Sequence, residues 1–504
     1  MAGFLCEERL VKGDWRALER VIARYMDHHG FEDVKLVGGS GDMGADIVGS
    51  INGQRWIYQS KFKSSGGINS QGAREAVRAL SQYDGQVAVL ATNQYFTDDA
   101  IQYQNETIRN GIDLRMYSGE NLLDFFDGLK YRSQKYRPLR SYQIDAVDSV
   151  EVSRGQGGKT ALVLMATGLG KSIVANQLIA NELERNPNQE VLVLAHATDL
   201  VRQLDRESWS QFNKGISTHL WTEGETPSYQ EGVVFATWQT VLPANTRNSL
   251  KGRFGLVIVD EAHRSLSNSY RGLINELSAN YLVGMTATPW RGDRRSLTDF
   301  YGSPTFTMDI VDGMQKGYLA EVDYRMLTDG IDWDEIALLS REGLTIKELN
   351  TKLIMPERDI GMIEVVTKHI NAMQNPKALV FCRSQEHANR LQALFASQGL
   401  NCAVIHRGID RRTRFRNLSG FRSGDVNLLL SVEMLNEGID VPDVNLVVFM
   451  RVTHSRRIFV QQLGRGLRLS ANKSEVLVLD FVADLRRIAE GISINTPITL
   501  LFSI

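Results

Sequence analysis

The sequence predicts an α/β protein in which one mixed α+β module precedes two modules built on parallel sheets. Continuous apolar runs, separated by stretches of helix length, follow residue 136: ALVLM (161–165), VLVLA (191–195), VVFAT (233–237), LVIVD (256–260) and YLVGMT (281–286). Such runs are typical of parallel strands covered on both faces. The pattern returns after residue 375 in ALVFC, NLLLS, NLVVFM and VLVLDF, while the first 130 residues mix helix and strand. The charged stretch between the two series is interpreted as connecting structure.

Composition narrows the class of protein. The chain has 504 residues, 43% of them hydrophobic, and its 57 basic and 59 acidic side chains give a net charge of −2. These values exclude a disordered, collagenous or disulfide-scaffold protein, and also a uniformly basic nucleic-acid coat. Residues 376–504 nevertheless carry 17 basic and 11 acidic side chains, and 15 of the 17 are arginine. Because arginine suits bidentate phosphate contacts, localised binding of nucleic acid stays open.

The three cysteines, Cys6, Cys382 and Cys402, match neither a disulfide framework nor a zinc site. They favour a reducing compartment. The first ten residues place acids where a signal peptide needs cations, and no apolar run approaches the length of a membrane span. We therefore expect a cytoplasmic protein with no membrane partner.

The first module begins with an amphipathic helix. Asp14 is a suitable N-cap for a helix whose apolar face includes Trp15, Leu18 and Ile22, and Gly30 would close it. Glu19 lies at the edge of that face.

A hairpin is predicted next, because Asn52-Gly53 is the strongest short hairpin signal. With these residues as the turn, Asp46 falls opposite Gln59, and Lys61 projects from the same face. One face therefore gathers a carboxylate, an amide oxygen and an ammonium group.

This arrangement resembles the restriction-endonuclease-like fold of the Mrr type, whose active site is Asp followed by Glu/Gln-x-Lys. The segments SQGAREAVRAL, VAVLATN and GIDLRMYSGENLLDFF also fit, so the resemblance covers most of residues 1–130. It implies that Asp46 and Gln59 ligate Mg²⁺, that Lys61 positions water and stabilises charge on the phosphate, and that Glu19 is the family's helix acid. The alternatives are a surface ribbon with ordinary charges, a solvated Glu19, and Asp42 in place of Asp46.

The run ALVLM leads into a candidate phosphate loop. Strand, glycine-rich turn and helix N-terminus form the context in which backbone N–H groups surround phosphate oxygens. The residues concerned are Thr167, Gly168, Gly170, Lys171 and Ser172. Lys171 would reach the β/γ-phosphates of ATP, and the Ser172 hydroxyl would bind Mg²⁺. Met165 replaces the first glycine of the strict pattern, so a helix-capping turn is the alternative; the similar stretch 155–160 precedes a strand and is interpreted as a plain turn.

The run LVIVD delivers two adjacent carboxylates, Asp260 and Glu261, to the carboxyl edge of the predicted sheet. Open α/β sheets bind their ligands at that edge. Asp260 can hold Mg²⁺, and Glu261 can orient and deprotonate the attacking water.

Together with further segments, these residues resemble a superfamily 2 helicase or translocase of the DEAH-box kind, over about residues 136–485. The resemblance implies two RecA-like lobes, after a module at residues 1–130, with the first lobe at residues 131–325 and a connecting segment plus the second lobe at residues 326–504. It assigns ATP contacts to Arg140, Gln143 and Asp440, nucleic-acid contacts to His196, Thr237, Arg383 and Ser431, and coupling of hydrolysis to strand binding to Thr286 and Thr288.

The sixth motif of that family matches QQLGRGLR (461–468). Arg465 and Arg468 are three residues apart and share a face if the stretch is helical. An arginine finger contributes about 10³–10⁵ in rate, so lobe closure and hydrolysis would be coupled. The alternative is a solvated arginine helix.

The favoured hypothesis is an ATP-driven DNA translocase or helicase fused to an Mg²⁺-dependent DNA endonuclease, as in restriction or phage defence. No methyltransferase motif or target-recognition domain is evident, so a protein partner or a DNA structure would supply specificity. A second hypothesis keeps the motor and makes the first module a DNA-binding domain, which would suit repair. A third, an RNA helicase, is disfavoured because the first module resembles DNA-cutting proteins.

Overall fold

The computed structural model describes residues 3–37, 44–222, 225–227, 231–244, 249–287, 296–327, 356–432, 443–450, 467, 469, 473 and 475–481. The chain divides into two compact units. The first unit contains Met1–Val163, Ser172–Met285 and Leu297–Phe306, and the second contains Leu164–Lys171, Thr286–Ser296 and Thr307–Ile504. Each is described by itself.

The N-terminal module is a five-stranded sheet in sequence order, in which the first three strands are antiparallel and the last two run parallel to the third. Its strands are β1 (Glu32–Leu36), β2 (Ile47–Ile51), β3 (Gln54–Lys61), β4 (Val87–Thr92) and β5 (Asp113–Tyr117). Its helices are α1 (Glu7–Lys12), α2 (Trp15–His28), α3 (Ser70–Tyr83), α4 (Asp98–Arg109) and α5 (Gly119–Asp127).

Local sequence explains these elements. The Asp14 side chain accepts a hydrogen bond from the backbone N–H of Ala17 at 2.8 Å and caps α2, and Gly30 follows the helix with a left-handed φ of 99°. The strand β4 is buried throughout, and its alternate residues face two separate apolar cores. The sheet is therefore covered on both faces.

The first lobe contains a seven-stranded sheet in the order β12-β6-β11-β10-β7-β9-β8. Its strands are β6 (Thr160–Met165), β7 (Glu190–Ala195), β8 (Thr218–Trp221), β9 (Val233–Thr237), β10 (Phe254–Asp260), β11 (Tyr281–Thr286) and β12 (Pro304–Met308). Its helices are α6 (Ser141–Gly155), α7 (Lys171–Arg185), α8 (Thr198–Trp209), α9 (Trp238–Ala244), α10 (Asn268–Leu277) and α11 (Thr298–Tyr301), while α12 (Ile310–Gln315) belongs to the second unit. In this sheet, each neighbouring pair of strands from β11 through β10, β7 and β9 to β8 is parallel.

Within the first unit, the N-terminal module packs against α8 and β8. Trp209 of α8 is 2% exposed and belongs to the apolar core of the N-terminal module. Arg20 of α2 forms an ion pair with Glu225, and the backbone N–H of Phe4 donates to the carbonyl of Lys214 at 2.9 Å. We call α8, β8 and residues 213–214 and 225 the docking edge of the first lobe.

The second unit contains a six-stranded sheet in the order β13-β18-β17-β14-β16-β15, with every neighbouring pair parallel. Its strands are β13 (Glu321–Met326), β14 (Ala378–Phe381), β15 (Cys402–Ile405), β16 (Leu428–Ser431), β17 (Leu446–Phe449) and β18 (Glu475–Asp480). Its helices are α13 (Pro356–Ala372), α14 (Gln385–Ser397) and α15 (Arg411–Ser423).

The predicted fold class is confirmed: an α+β module precedes two parallel-sheet lobes. The domain limits stay a prediction, and the predicted limit at residues 325/326 falls inside β13. The three cysteines are free thiols.

Candidate active sites

The hairpin of β2 and β3 brings Asp46 and Gln59 together. Ile47 pairs with Tyr58 across the Asn52-Gly53 turn, which is the register that the sequence predicts. The Gln59 amide Nε2 donates to Asp46 Oδ2 at 2.6 Å, and each of these residues is 5% exposed. The carboxylate and the amide are therefore in direct contact at the buried end of the hairpin.

Ser60, which was not predicted from the sequence, completes the surroundings of this carboxylate. Its backbone N–H and its hydroxyl donate to Asp46 Oδ2 at 2.6 Å and 3.1 Å. Since an ionised carboxylate needs donors when it is buried, these bonds hold Asp46 in place. The signal in the sequence that could have indicated this role is that a short polar residue directly follows Gln59.

Lys61 ends β3, and its ammonium contacts a carboxylate that the sequence analysis did not single out. The distance from Lys61 Nζ to Glu75 Oε2 of α3 is 2.6 Å. Glu19 is half-buried on α2, and the alternative ligand Asp42 lies outside the described residues.

The candidate phosphate loop joins β6 to α7. Gly168 and Gly170 have left-handed φ values of 95° and 82°, which other residues rarely adopt. Lys171 is the first residue of α7, and its Nζ donates to the carbonyl of Met165 at 3.2 Å. Thr167 and Ser172 are half-buried. The turn has the backbone that a phosphate cradle requires.

Asp260 is the last residue of β10, and Glu261 follows it in a left-handed conformation with φ 49° and ψ 51°. A non-glycine residue in this region is strained, and such strain concentrates at functional sites. The Oε2 atom of Glu261 lies 3.3 Å from Nδ1 of His263, which is 1% exposed. The backbone and His263 together fix where the Glu261 carboxylate lies.

The N-terminus of α6 holds the predicted adenine contact. The Gln143 side-chain oxygen accepts from the backbone N–H of Arg140 at 2.9 Å, and Gln143 is 3% exposed. Because that N–H needs an acceptor, the amide orientation is fixed.

Two predicted nucleic-acid contacts meet at neighbouring strand ends. His196 directly follows β7, Thr237 ends β9, and these two strands are paired. The Gln239 amide donates to the carbonyl of His196 at 3.1 Å. Beside them, Trp238 stacks on Tyr270 with ring centroids 5.0 Å apart, and burial raises the pKa of Tyr270 well above its ordinary value.

Arg383, in the second unit, was predicted to contact nucleic acid, but its side chain is buried against other residues of the protein. Its guanidinium is 1% exposed, lies 3.3 Å from Asp359 Oδ1 through Nη2, and donates through Nε to the carbonyl of Met450 at 2.8 Å. This placement favours a structural role for Arg383, and its contact with nucleic acid stays a prediction.

Ser431 ends β16 and is fully buried, as is Thr286 at the end of β11. The remaining predicted residues, Thr288, Asp440, Arg465 and Arg468, lie outside the described residues.

Within the described residues, no three His, Cys, Asp or Glu side chains are grouped so that they could hold a metal ion. The hairpin donors still fit Mg²⁺, which usually binds one or two carboxylates and keeps several waters. In the same part of the chain, no helix combines the length and apolar character needed to cross a membrane.

The chain has a glycine turn before a helix, carboxylates at the end of a parallel strand, a second parallel-sheet unit and a polar hairpin. Together these features define a nucleotide-dependent motor that carries a nuclease-like module. Three family models match this chain: "Restriction endonuclease" over residues 10–126, "Type III restriction enzyme, res subunit" over residues 137–291, and "Helicase conserved C-terminal domain" over residues 361–470. The chain therefore combines a restriction-endonuclease-like domain at residues 10–126 with two helicase domains, at residues 137–291 and 361–470, that are similar to those of superfamily 2 helicases.

Curated relatives align with about two thirds of this chain. A provisionally named ATP-dependent helicase of Saccharomyces cerevisiae, IRC3, is 27% identical over 365 residues, which are 68% of this chain and 51% of that protein. The endonuclease subunit of the type I restriction enzyme EcoAI of Escherichia coli is 24% identical over 396 residues, or 71% of this chain and 47% of that protein. The chain thus spans about half the length of these relatives.

A solved structure extends the likeness of fold to nearly the whole chain. The ATP-dependent Type ISP restriction-modification enzyme LlaBIII, bound to DNA, aligns with a TM-score of 0.56 and 17% identity over 99% of this chain and 38% of that one. At this identity the likeness shows the fold alone.

Proposed function

We propose that this chain is an ATP-driven DNA translocase or helicase coupled to an Mg²⁺-dependent DNA endonuclease. The observation that carries the proposal is the hairpin contact of Asp46 with Gln59, with Lys61 on the same strand face, in a chain that also has a phosphate-loop turn and Asp260-Glu261. The type I endonuclease subunit and the DNA-bound LlaBIII enzyme support DNA as the substrate and restriction or phage defence as the setting.

In the nuclease module, the chain would hold the metal through the Asp46 carboxylate and the Gln59 carbonyl oxygen. When bound, Mg²⁺ supplies a Lewis acid for the scissile phosphate and lowers the pKa of water. Lys61 would place its ammonium where charge grows on the phosphate. Glu19, half-buried on the neighbouring helix, would complete the acidic side of the site.

In the motor, the residues at strand ends would divide the work. Lys171 and the N–H groups of the turn at 167–170 would bind the phosphates of ATP, while Ser172 and Asp260 would hold Mg²⁺. Glu261, fixed by its backbone and by His263, would orient the attacking water. Gln143 would recognise adenine.

Specificity for particular DNA would come from a partner subunit or from a DNA structure such as an end or a fork. The EcoAI relative is a subunit of a larger enzyme, which supports the first source.

The test is an ATPase and cleavage panel on single-stranded, duplex and forked DNA, with an RNA arm. Lys171→Ala should abolish ATP hydrolysis, whereas Asp46→Ala and Lys61→Ala should abolish cleavage and leave ATP hydrolysis intact. Lys159→Ala, in the exposed turn before β6, is the matched lysine control and should behave as the unchanged protein. An ATPase stimulated by RNA and ignored by DNA would contradict the proposal.

A second candidate function is a DNA remodeller whose N-terminal module binds DNA without cutting it. The observation in its favour is that the Gln59 amide N–H donates to Asp46, so Gln59 faces the carboxylate with its nitrogen and not with its metal-binding oxygen. Protein that hydrolyses ATP on DNA, but never nicks any DNA form with Mg²⁺, would select this candidate.

A further inference from the structure

The nuclease site of the proposed function has an imbalance of charge on its strands. Gln59 is neutral, and its amide donates to Asp46 Oδ2 at 2.6 Å and to the Ser60 carbonyl at 3.1 Å. Of the three hairpin residues that face the site, only Asp46 is an acid. A hard divalent cation is held more tightly as more ligand charge surrounds it, so a carboxylate in addition to Asp46 and the proposed Glu19 would strengthen the site.

The helix α3 brings a carboxylate to this site. Glu75 Oε2 lies 2.6 Å from Lys61 Nζ, and the Gln71 amide of the same helix donates to Glu75 Oε1 at 3.3 Å. The side chains of Lys61 and Glu75 are 36% and 27% exposed, so both are partly screened from water and still reachable by a substrate. Each oxygen of Glu75 therefore has a fixed partner.

Close packing places Glu75 beside the segment that leads to Asp46. Gly44, two residues before Asp46, has a left-handed φ of 94°, and a Cβ at this position would lie 2.6 Å from the backbone oxygen of Glu75. On the preceding turn of α3, a Cβ at Gly72 would lie 3.3 Å from Cγ of Lys61. A side chain at Gly44 would clash with Glu75, and a side chain at Gly72 would crowd Lys61. Glycine at both positions therefore lets α3 pack directly on the site.

We propose that Glu75 is a further carboxylate of the nuclease site, beside Asp46 and the proposed Glu19: it positions Lys61 and supplies, next to the hairpin, the negative charge that Gln59 does not. The inference rests on the proposed nuclease function of Asp46, Gln59 and Lys61. Glu75 acts as a positioning residue through Lys61, and its charge acts on the metal through space. The acidic role that a strand residue would fill is therefore taken by a residue of the adjacent helix.

The experiment uses the full chain and Mn²⁺ as the probe, with Mn²⁺ affinity measured by calorimetry and cleavage measured on supercoiled plasmid. Glu75→Gln should weaken Mn²⁺ binding by roughly tenfold and slow cleavage, while Glu75→Asp should keep most of both. Adding Gln59→Glu to Glu75→Gln should restore Mn²⁺ affinity, because the charge returns at the strand position. Glu106→Gln, an exposed acid of α4, is the matched control and should change neither quantity.

Two results would overturn the proposal: unchanged Mn²⁺ affinity in Glu75→Gln, or no recovery when Gln59→Glu is added. Thermal unfolding of each variant identifies a loss of folding, and Glu75→Asp, which keeps the charge, then decides by the same Mn²⁺ titration. Failure of the nuclease function is recognised separately, because protein that leaves every DNA form intact still reports the effect of Glu75 on Mn²⁺ binding.

Discussion

Two parts of the first lobe are built in contrasting ways. At the docking edge, large and titratable side chains are buried: Trp209 is 2% exposed and His219 is 5% exposed, and Arg20 pairs with Glu225. At the carboxyl edge, by which we mean the residues at or directly after the ends of β7, β9 and β10, Glu261 keeps a strained left-handed backbone. The docking edge is stabilised by buried side chains, whereas the carboxyl edge contains a residue in an unfavourable backbone conformation.

The difference separates stability from chemistry. Buried contacts at the docking edge join the N-terminal module to the first lobe, and none of the predicted catalytic residues lies there. At the carboxyl edge the strained backbone of Glu261 places the carboxylate that we propose as the general base, which would be a common exchange of stability for activity. Substitutions at the docking edge should therefore change the free energy of unfolding, and those at the carboxyl edge should change ATP hydrolysis.

The largest effect is expected for Trp209→Ala at the docking edge. Removing a buried indole from the core of the N-terminal module should cost about 3–5 kcal/mol in the free energy of unfolding. Urea unfolding of the full chain, followed by tryptophan fluorescence and by circular dichroism, measures this change. Trp15→Ala removes a side chain that is 49% exposed and should cost far less. Equal losses in the two variants would show that Trp209 does not join the module to the lobe.

Glu261→Gln should produce the largest change at the carboxyl edge. Loss of a general base lowers the rate of ATP hydrolysis by about 10²–10³-fold, while the near-identical shape of glutamine leaves unfolding unchanged. Single-turnover hydrolysis and binding of a fluorescent ATP analogue measure the two quantities. A variant that hydrolyses ATP normally would remove Glu261 from the chemistry.

A pH effect is expected at the docking edge from His219. Burial, with Arg20 and Arg9 adding to it, lowers the pKa of His219 to about 3. The unfolded chain takes up a proton near pH 6.5 and the folded chain does not, so this stability is present above pH 6.5 and is lost as the pH falls toward 3. Between pH 7 and pH 5 the loss amounts to about 2 kcal/mol.

The measurement is the denaturant midpoint of the unchanged protein and of His219→Gln at both pH values. The variant should lose less stability between pH 7 and pH 5. Parallel losses would mean that the folded chain protonates His219 readily.

Contacts between residues that are close in the sequence, or that follow a general rule of sheet architecture, could be predicted from the sequence. Hairpin register is a local property, so the Asn52-Gly53 turn was enough to predict that Asp46 meets Gln59. Parallel strand ends obey a general rule, so Asp260 and Glu261 were expected at the sheet edge.

Contacts that depend on packing were not predicted. Glu75 reaches Lys61 because α3 lies on β3, and the Arg20–Glu225 pair joins residues 205 positions apart. Arg383 pairs with Asp359 because α13 packs beside the end of β14, 24 residues away in the sequence. In each of these cases a side chain's partner depends on how elements dock, which periodicity and motif spacing do not encode.

The smallest expected effect tests the strain itself. Glycine adopts the left-handed region without a steric penalty, whereas alanine does not, so Glu261→Gly should be more stable than Glu261→Ala by about 1 kcal/mol. Both variants lack the carboxylate and should hydrolyse ATP equally slowly. The matched control is the exposed Glu106 inside the helix α4, where the order should reverse and alanine should be the more stable by about 1 kcal/mol. If glycine destabilises at both positions, the backbone at Glu261 stores no strain, and the contrast between the two parts of the lobe then rests on burial alone.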